Sequence, residues 1–452
     1  MNNLQNKIPQ KVKKLCQKII NHGFECFLVG GCVRDLILKK NIKDWDVATN
    51  ATPNQLKNIF KNEVLIDVNS SLGTLIVNGI EITTFRKDGT YSNKRRPDNV
   101  IWAGSLKEDV LRRDLTINGL AMDLKGNIID LVGGLKDIND KIIRCIGNPD
   151  KRFQEDALRI LRAIRFASVL GFDCDLNTLI SIKRNKYLLQ IISKERIREE
   201  LNKIVCGKDF YKVGLLYKDI LFTAVPGLSE LDVEHNNHHH FLDVYEHTLL
   251  CVVNVKSNQY IDKIAALLHD LGKKQSKTID NVTHENHFYN HAIKSVEIAR
   301  NILNTLRYSN QNKNKILWLV KEHGHLFVNS IKVFKRWWAT IPNKFDKWEM
   351  LNRLLLLRQA DRSAVVNTTF SDMSDEQVRA IAKQIITKDN ALTIKDLTVD
   401  GYDVMKYGFN GKEIGIILHK LLNRIIASEI TNDREFLLHE IVKLSKEKKH
   451  KN

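Results

Sequence analysis

Two carboxylates at i and i+2, a few residues beyond a diglycine and an arginine, have types and spacing suited to phosphorus chemistry. They lie in LVGGCVRDLILKKNIKDWDVAT, residues 28–49. The apolar run FECFLV ends at Gly30-Gly31 and reads as a strand. Glycines there let a phosphate approach the backbone, and the helix expected to follow offers free N–H groups and its positive dipole end to that anion. Arg34, one turn in, is in reach of the same phosphates. Asp44 and Asp46 stand two residues apart, which on a strand puts both carboxylates on one face. Two hard oxygen ligands on one rigid face suit Mg²⁺ bound jointly with substrate phosphates. Two such ions support an in-line displacement, one activating the attacking hydroxyl and one holding the leaving pyrophosphate. Glu81, in the alternating stretch IEITTF, is the candidate third carboxylate, although an ordinary exposed strand residue fits it equally. The chain has neither a Walker pattern nor Gly-x-Gly-x-x-Gly, which weakens kinase, ATPase and dehydrogenase readings.

A second set of polar residues lies in FQEDALRILRAIRFA (153–167), where Asp156, Arg159, Arg162 and Arg165 recur at steps of three. On a continuous α-helix each step drifts by about 60°, so the four form a slanting ladder rather than one face. Asp156 and Arg159 are expected to converge on one base. A carboxylate accepts from an exocyclic amino group and a guanidinium donates to ring acceptors. That pair accepts cytosine and adenine and rejects uracil and guanine. A solvated helix with i,i+3 ion pairs is the plain alternative.

These segments resemble the head of the polymerase-β-like nucleotidyltransferases and, more narrowly, the bacterial CCA-adding (tRNA nucleotidyltransferase/poly(A) polymerase) family. RRDLTINGLAMD (112–123) is similar to the family's Arg-Arg-Asp-Phe-Thr motif, with Leu115 for Phe and Gly119 for Ala. DLVGG (130–134) is similar to its hinge motif, residues 153–167 to its Glu-Asp-x-x-Arg motif, and ERIREEL (195–201) to the motif that follows. The resemblance implies that Asp44 and Asp46 are catalytic Mg²⁺ ligands and that Gly31, Arg34 and Arg113 contact the nucleotide, with Asp114 near the ribose. It assigns Asp156, Arg159, Arg162 and Arg165 to the base and phosphates. It also implies CTP, ATP and tRNA as partners, and a mobile loop at RKDGTYSNKRRPDNV (86–100) used when the terminal A is added. An A-adding enzyme or a poly(A) polymerase is the alternative within this class.

The later half carries His247, His269-Asp270 and Asp361, in the order of the HD phosphohydrolase domain. Imidazoles and carboxylates on helices make a mixed N/O divalent site, with His291 and His323 as candidate additions. A metal phosphohydrolase centred there, with an inactive head, is a reading from a different class. A non-catalytic tRNA-binding protein is another. The intact Asp44–Asp46 pair tells against both. HNNHHH (235–240) crowds its histidines too closely for one tetrahedral set. Trp337-Trp338 suits packing better than RNA stacking.

The elements that must position these groups follow from the pattern. Mixed α/β character fills the first third, and nearly all later periodicity is helical. The expected fold is an α/β nucleotidyltransferase head (1–145), a helical neck for nucleotide selection and RNA (146–230), an HD-like helical domain (231–370) and a helical, tRNA-binding tail (371–452). The acidic stretch 226–246 reads as a linker, and 397–425 resembles the family's tail. The net charge is +18, divided as +10 over 1–200, −3 over 201–250 and +11 over 251–452. Excess at both ends suits a polyanion, nucleic acid ahead of membrane, although a lysine-rich proteome raises the same counts. Residues 301–350, with nine basic and three acidic groups, are a candidate RNA contact. Seven cysteines without Cys-x-x-Cys, no apolar leader and no apolar run long enough for a membrane span predict a cytoplasmic protein that does not enter a membrane.

Overall fold

The computed structural model describes residues 4–91, 97–236, 242–365, 372–387, 394–427 and 429–449. Nine head strands, in chain order, are β1 (Cys26–Val29), β2 (Asp46–Thr49), β3 (Leu65–Asn69), β4 (Thr74–Val77), β5 (Ile80–Thr84), β6 (Arg86–Asp88), β7 (Val100–Trp102), β8 (Leu120–Met122) and β9 (Ile128–Asp130). Seven form one mixed sheet in the order β3-β4-β5-β2-β1-β8-β9, and β6 pairs with β7 alone. Asn78 (φ 49°) and Gly79 (φ 77°) make the two-residue turn between β4 and β5. Asn-Gly tolerates these left-handed angles, which match the twist of the flanking strands.

Helices Gln10–Asn21 and Pro53–Ile59 contribute to the sheet's main core, burying Val12, Leu15, Cys16 and Ile19 from the first and Leu56 and Ile59 from the second. Thr52 and Gln55 close a capping box ahead of Pro53, which fixes where that helix starts. Val29, Ala48, Phe85, Val110 and Ala121 form a smaller separate cluster.

From Pro149 onward the chain is almost wholly helical, as its periodicity requires. One continuous buried core runs from Ile8 to Ile385, through head, neck and HD-like helices. The tail helices Gly401–Met405, Lys412–Ile426 and Arg434–Lys449 close over a separate core that includes Val404, Leu421, Leu437 and Ile441.

Three sequence expectations change. Asp44 precedes β2, which begins at Asp46, so the two aspartates do not share a strand. Residues 153–167 are not one helix: Pro149–Glu155 ends, Asp156 is extended (φ −141°, ψ 103°), and Leu158–Phe166 begins afresh. The described part of 226–246 is packed rather than a free linker, with Leu228, Leu231 and His235 all buried. Trp337 and Trp338 are also buried, which agrees with packing. Four of the six residues of HNNHHH (237–240), the middle of the 86–100 loop (92–96) and the last three residues lie outside the described residues.

Candidate active site and a histidine–aspartate centre

The head site is built where three strands meet. Strand β2 runs antiparallel to β1 and parallel to β5, and the β2–β5 register pairs Asp46 with Glu81. Paired residues of adjacent strands point to the same face. Burial raises the Asp46 carboxyl above its usual range, opposed by Arg113 and reinforced by Asp44. Glu81 is raised too, by burial and then by Asp46 and Asp44, again opposed by Arg113. Asp44, Asp46 and Glu81 thus form one repelling cluster that a divalent cation would relieve. The sequence offered Glu81 only as an even choice; its register is what brings it to Asp46.

The diglycine has a second use beyond phosphate approach. Gly30 has φ 74°, and a Cβ there would lie 3.2 Å from Arg113 Nη1. One at Gly31 would lie 3.6 Å from Arg34 Nη2. The bare backbone of Gly30 lets the Arg113 guanidinium lie close against the strand end, whereas Gly31 leaves ordinary contact distance to Arg34. Arg113 donates to Asp109, which also takes Arg112 and is fully buried. Arg34 is itself buried: Nη1 donates to Asn118 Oδ1 (2.6 Å), and Nε and Nη2 to Asp35 (2.9 and 3.0 Å).

From Arg34 a polar chain crosses to the neck. Asn118 donates to Asp114 Oδ1 (3.1 Å), and Asp114 Oδ2 accepts from Arg162 Nε (2.6 Å). Burial works against the Asp114 carboxylate, but Arg162, Asn118 and Arg159 together outweigh it and hold that carboxyl well below the usual range. Arg165 Nη1 donates to Glu200 Oε1 (3.0 Å). Asp130 accepts from the backbone N–H groups of Val132, Gly133, Gly134 and Leu135 at 2.8–3.1 Å, so the hinge-like DLVGG is a tightly capped helix start.

Asp156 and Arg159 are not paired with each other. Asp156 sits at the helix break, accepts from Leu158 N, and takes a two-pronged bond from Arg196 at 3.1 and 2.7 Å. Arg159 donates to Glu155 (2.6 Å) and to the carbonyls of Arg152 and Arg112 (3.1 Å each). An aspartate that bonds nearby backbone competes with helix continuation, which accounts for the break. Sequence reasoning assigned no role to Arg196, Glu200 or Asn118, although all three lie inside the quoted motifs.

The HD-like residues converge. His247 Nε2 lies 2.9 Å from Asp361 Oδ1 and 3.6 Å from Asp270 Oδ2. His269 Nε2 lies 3.1 Å from Asp270 Oδ2 and 3.5 Å from Asp361 Oδ1. His291 Nε2 is 3.3 Å from Asp270 Oδ1 and 3.1 Å from His323 Nε2. The Nδ1 atoms of His247, His269, His291 and His323 all face backbone carbonyls, at 2.7–3.3 Å. Donation there fixes the tautomer of a neutral ring and turns each Nε2 inward, where a metal ion would take the place of a proton. Buried Asp270 Oδ2 is flanked by His269 Nε2 at 3.1 Å and Lys273 Nζ at 2.8 Å. Burial disfavours the His269 imidazolium, yet Asp270 and Asp361 raise it to about 10; burial and His269 lower His323 to about 4. The buried acids demand positive charge, which a divalent cation supplies. His235, which sequence reasoning set aside with its neighbours, approaches through Lys273: Lys273 Nζ is 2.8 Å from both His235 Nε2 and Asp270 Oδ2. Gly272 makes the convergence feasible, because a Cβ there would lie 2.2 Å from His291 O.

Comparison with known proteins decides the family. The chain is 36% identical to the CCA-adding enzyme of Ligilactobacillus salivarius over 452 residues, covering 98% of each chain. The chain belongs to the CCA-adding enzyme family. It is 46% identical to the Bacillus pumilus family member over 214 residues, covering 46% of this chain and 53% of the relative. A solved structure of the Bacillus stearothermophilus CCA-adding enzyme in complex with CTP superposes with TM-score 0.74 at 26% identity, covering both chains fully. Residues 26–144 match the poly A polymerase head domain, 171–231 a probable RNA- and SrmB-binding site of polymerase A, and 238–365 the HD domain. Among the described residues no helix is long and apolar enough to cross a membrane.

Proposed function

We propose that this chain adds C, C and A, without a template strand, to the 3′ end of tRNA in the cytoplasm, using CTP and ATP and releasing pyrophosphate. The observation that carries the reading is the register of Asp46 with Glu81, beside Asp44 and Arg113, in a chain of this family. Asp44, Asp46 and Glu81 would hold Mg²⁺, which when bound supplies Lewis-acid stabilisation and lowers the pKa of the attacking hydroxyl. Arg113, against bare Gly30, presents positive charge to the nucleotide phosphates. Arg34, Asn118, Asp114 and Arg162 form a preorganised frame, so little ordering is left to be done when nucleotide binds. Asp156 with Arg196, and Arg159, supply the acceptor and donor edges that read the base. The basic surfaces of the neck and tail would bind the tRNA backbone.

The test is incorporation. Given tRNA ending at its discriminator base, the protein extends it by C, C and A and stops when CTP and ATP are both present. UTP and GTP are not used. Untemplated poly(A) growth, or A addition only to tRNA already ending in CC, overturns the reading.

A second reading concerns the histidine–aspartate centre, where His247, His269, Asp270 and Asp361 would hold a divalent cation. Three groups among the described residues bring ligand atoms within 4.8 Å of one another, and two of them share Asp270: His247–His269–Asp270 and Asp270–His291–His323. Imidazole-rich sets suit Zn²⁺, Fe²⁺, Ni²⁺ or Cu²⁺ rather than Mg²⁺. Purified protein dialysed against Zn²⁺ retains metal by elemental analysis. His269→Ala loses it while CCA addition continues. Equal metal content in parent and variant removes the site. A phosphatase screen on the same pair decides whether the centre hydrolyses phosphoesters.

A further inference from the structure

Three guanidiniums converge on one aromatic ring. The Cζ atoms of Arg165, Arg34 and Arg162 lie 4.2, 4.7 and 5.9 Å from the centroid of Phe166. Arg34 comes from the head. The other two come from the neck helix Leu158–Phe166, which Phe166 ends before the chain widens into the π-turn Ala167–Gly171. The ring is 7% exposed. Each guanidinium has one carboxylate: Asp35 for Arg34, Asp114 for Arg162 and Glu200 for Arg165.

Three cations this close, with Arg34 and Arg165 largely shielded from water, repel one another. An aromatic face is electron-rich and attracts guanidinium without an acceptor atom. A fourth carboxylate there would hold the arginines harder, but it would also repel an incoming triphosphate. An aliphatic side chain would fill the space without the field. We infer that Phe166 is a positioning residue, which gathers Arg34, Arg162 and Arg165 from two domains into one anion-receiving array for the nucleotide triphosphate. The inference rests on the nucleotide-site reading of those arginines. Its effect is independent of the base, unlike that of Asp156 or Arg159.

Incorporation of mono-, di- and trifluorinated phenylalanine at position 166 tests it, because fluorine drains the ring face and barely changes its size. KM for CTP and ATP rises by the same factor at each step, reaching roughly three- to ten-fold with three fluorines. The kcat and the preference for CTP over UTP stay constant, and Phe166→Leu falls at or beyond the trifluoro end. A flat KM across the series overturns the inference. Arg34→Ala and Arg162→Ala separate the two levels: if neither raises KM, the nucleotide-site reading fails. If both do and the fluorinated series is flat, only the role of Phe166 fails.

Discussion

Asp46→Ala reduces nucleotide incorporation at least roughly a thousand-fold, equivalent to about 4 kcal/mol of barrier, while tRNA affinity stays at the parental value. Asp46 lies on a rigid strand opposite Glu81, so its loss opens the carboxylate cluster at its centre. Burial and the neighbouring Asp44 also raise its carboxyl above the usual range, so its charge is unfavourable in the folded state. A raised carboxyl costs stability once pH exceeds its unfolded value near 4. The variant therefore melts at or above the parental temperature at neutral pH, and the difference closes as pH falls through that value. A purely structural aspartate behaves oppositely. Incorporation that survives Asp46→Ala, or a parallel loss of fold, removes the two-metal assignment.

Asp156→Ala relaxes base choice, lowering discrimination of CTP over UTP by about 10- to 100-fold, the 1–3 kcal/mol range of a two-pronged base contact. Arg196→Ala has an effect of similar size from a residue forty positions away, because its fork holds the Asp156 carboxylate at 3.1 and 2.7 Å. Arg196→Lys is intermediate: an ammonium supplies charge without the planar fork. Competition assays with CTP and UTP on one tRNA measure all three. Unchanged preference in Asp156→Ala takes Asp156 out of base reading, and unchanged preference in Arg196→Ala alone leaves Asp156 self-supporting.

The head was legible because its signals are local. Gly30-Gly31, the alternating runs of β4 and β5 and the Asn78-Gly79 turn each follow from backbone preferences within a few residues. The placement of Asp44 was misread because i, i+2 spacing says nothing about where a strand begins. The selecting segment was misread for a related reason: its apolar spacing is helical, but Asp156 bonds its own neighbours and an arginine from the next motif, and periodicity does not report a single-residue interruption. Partners such as Asn118, Glu200 and Arg196 meet only after folding. The histidine–aspartate centre was legible in part. His247, His269, Asp270 and Asp361 are spread over more than a hundred residues and still came out of residue order, whereas His235 and Lys273 meet only after folding.

The separation of the tail's core from the main one has a further consequence. Head, neck and HD-like helices, with the helix Asp375–Thr387, share the main apolar interior, so they are expected to gain and lose native structure together. The tail closes over its own interior and owes the rest of the chain little of its stability. Amide exchange therefore divides this chain near residue 390 rather than at the head–neck boundary that chemistry would suggest. Substitutions that open a cavity in the tail core should therefore leave the nucleotide site's geometry unchanged, whereas the neck shares its interior with the head.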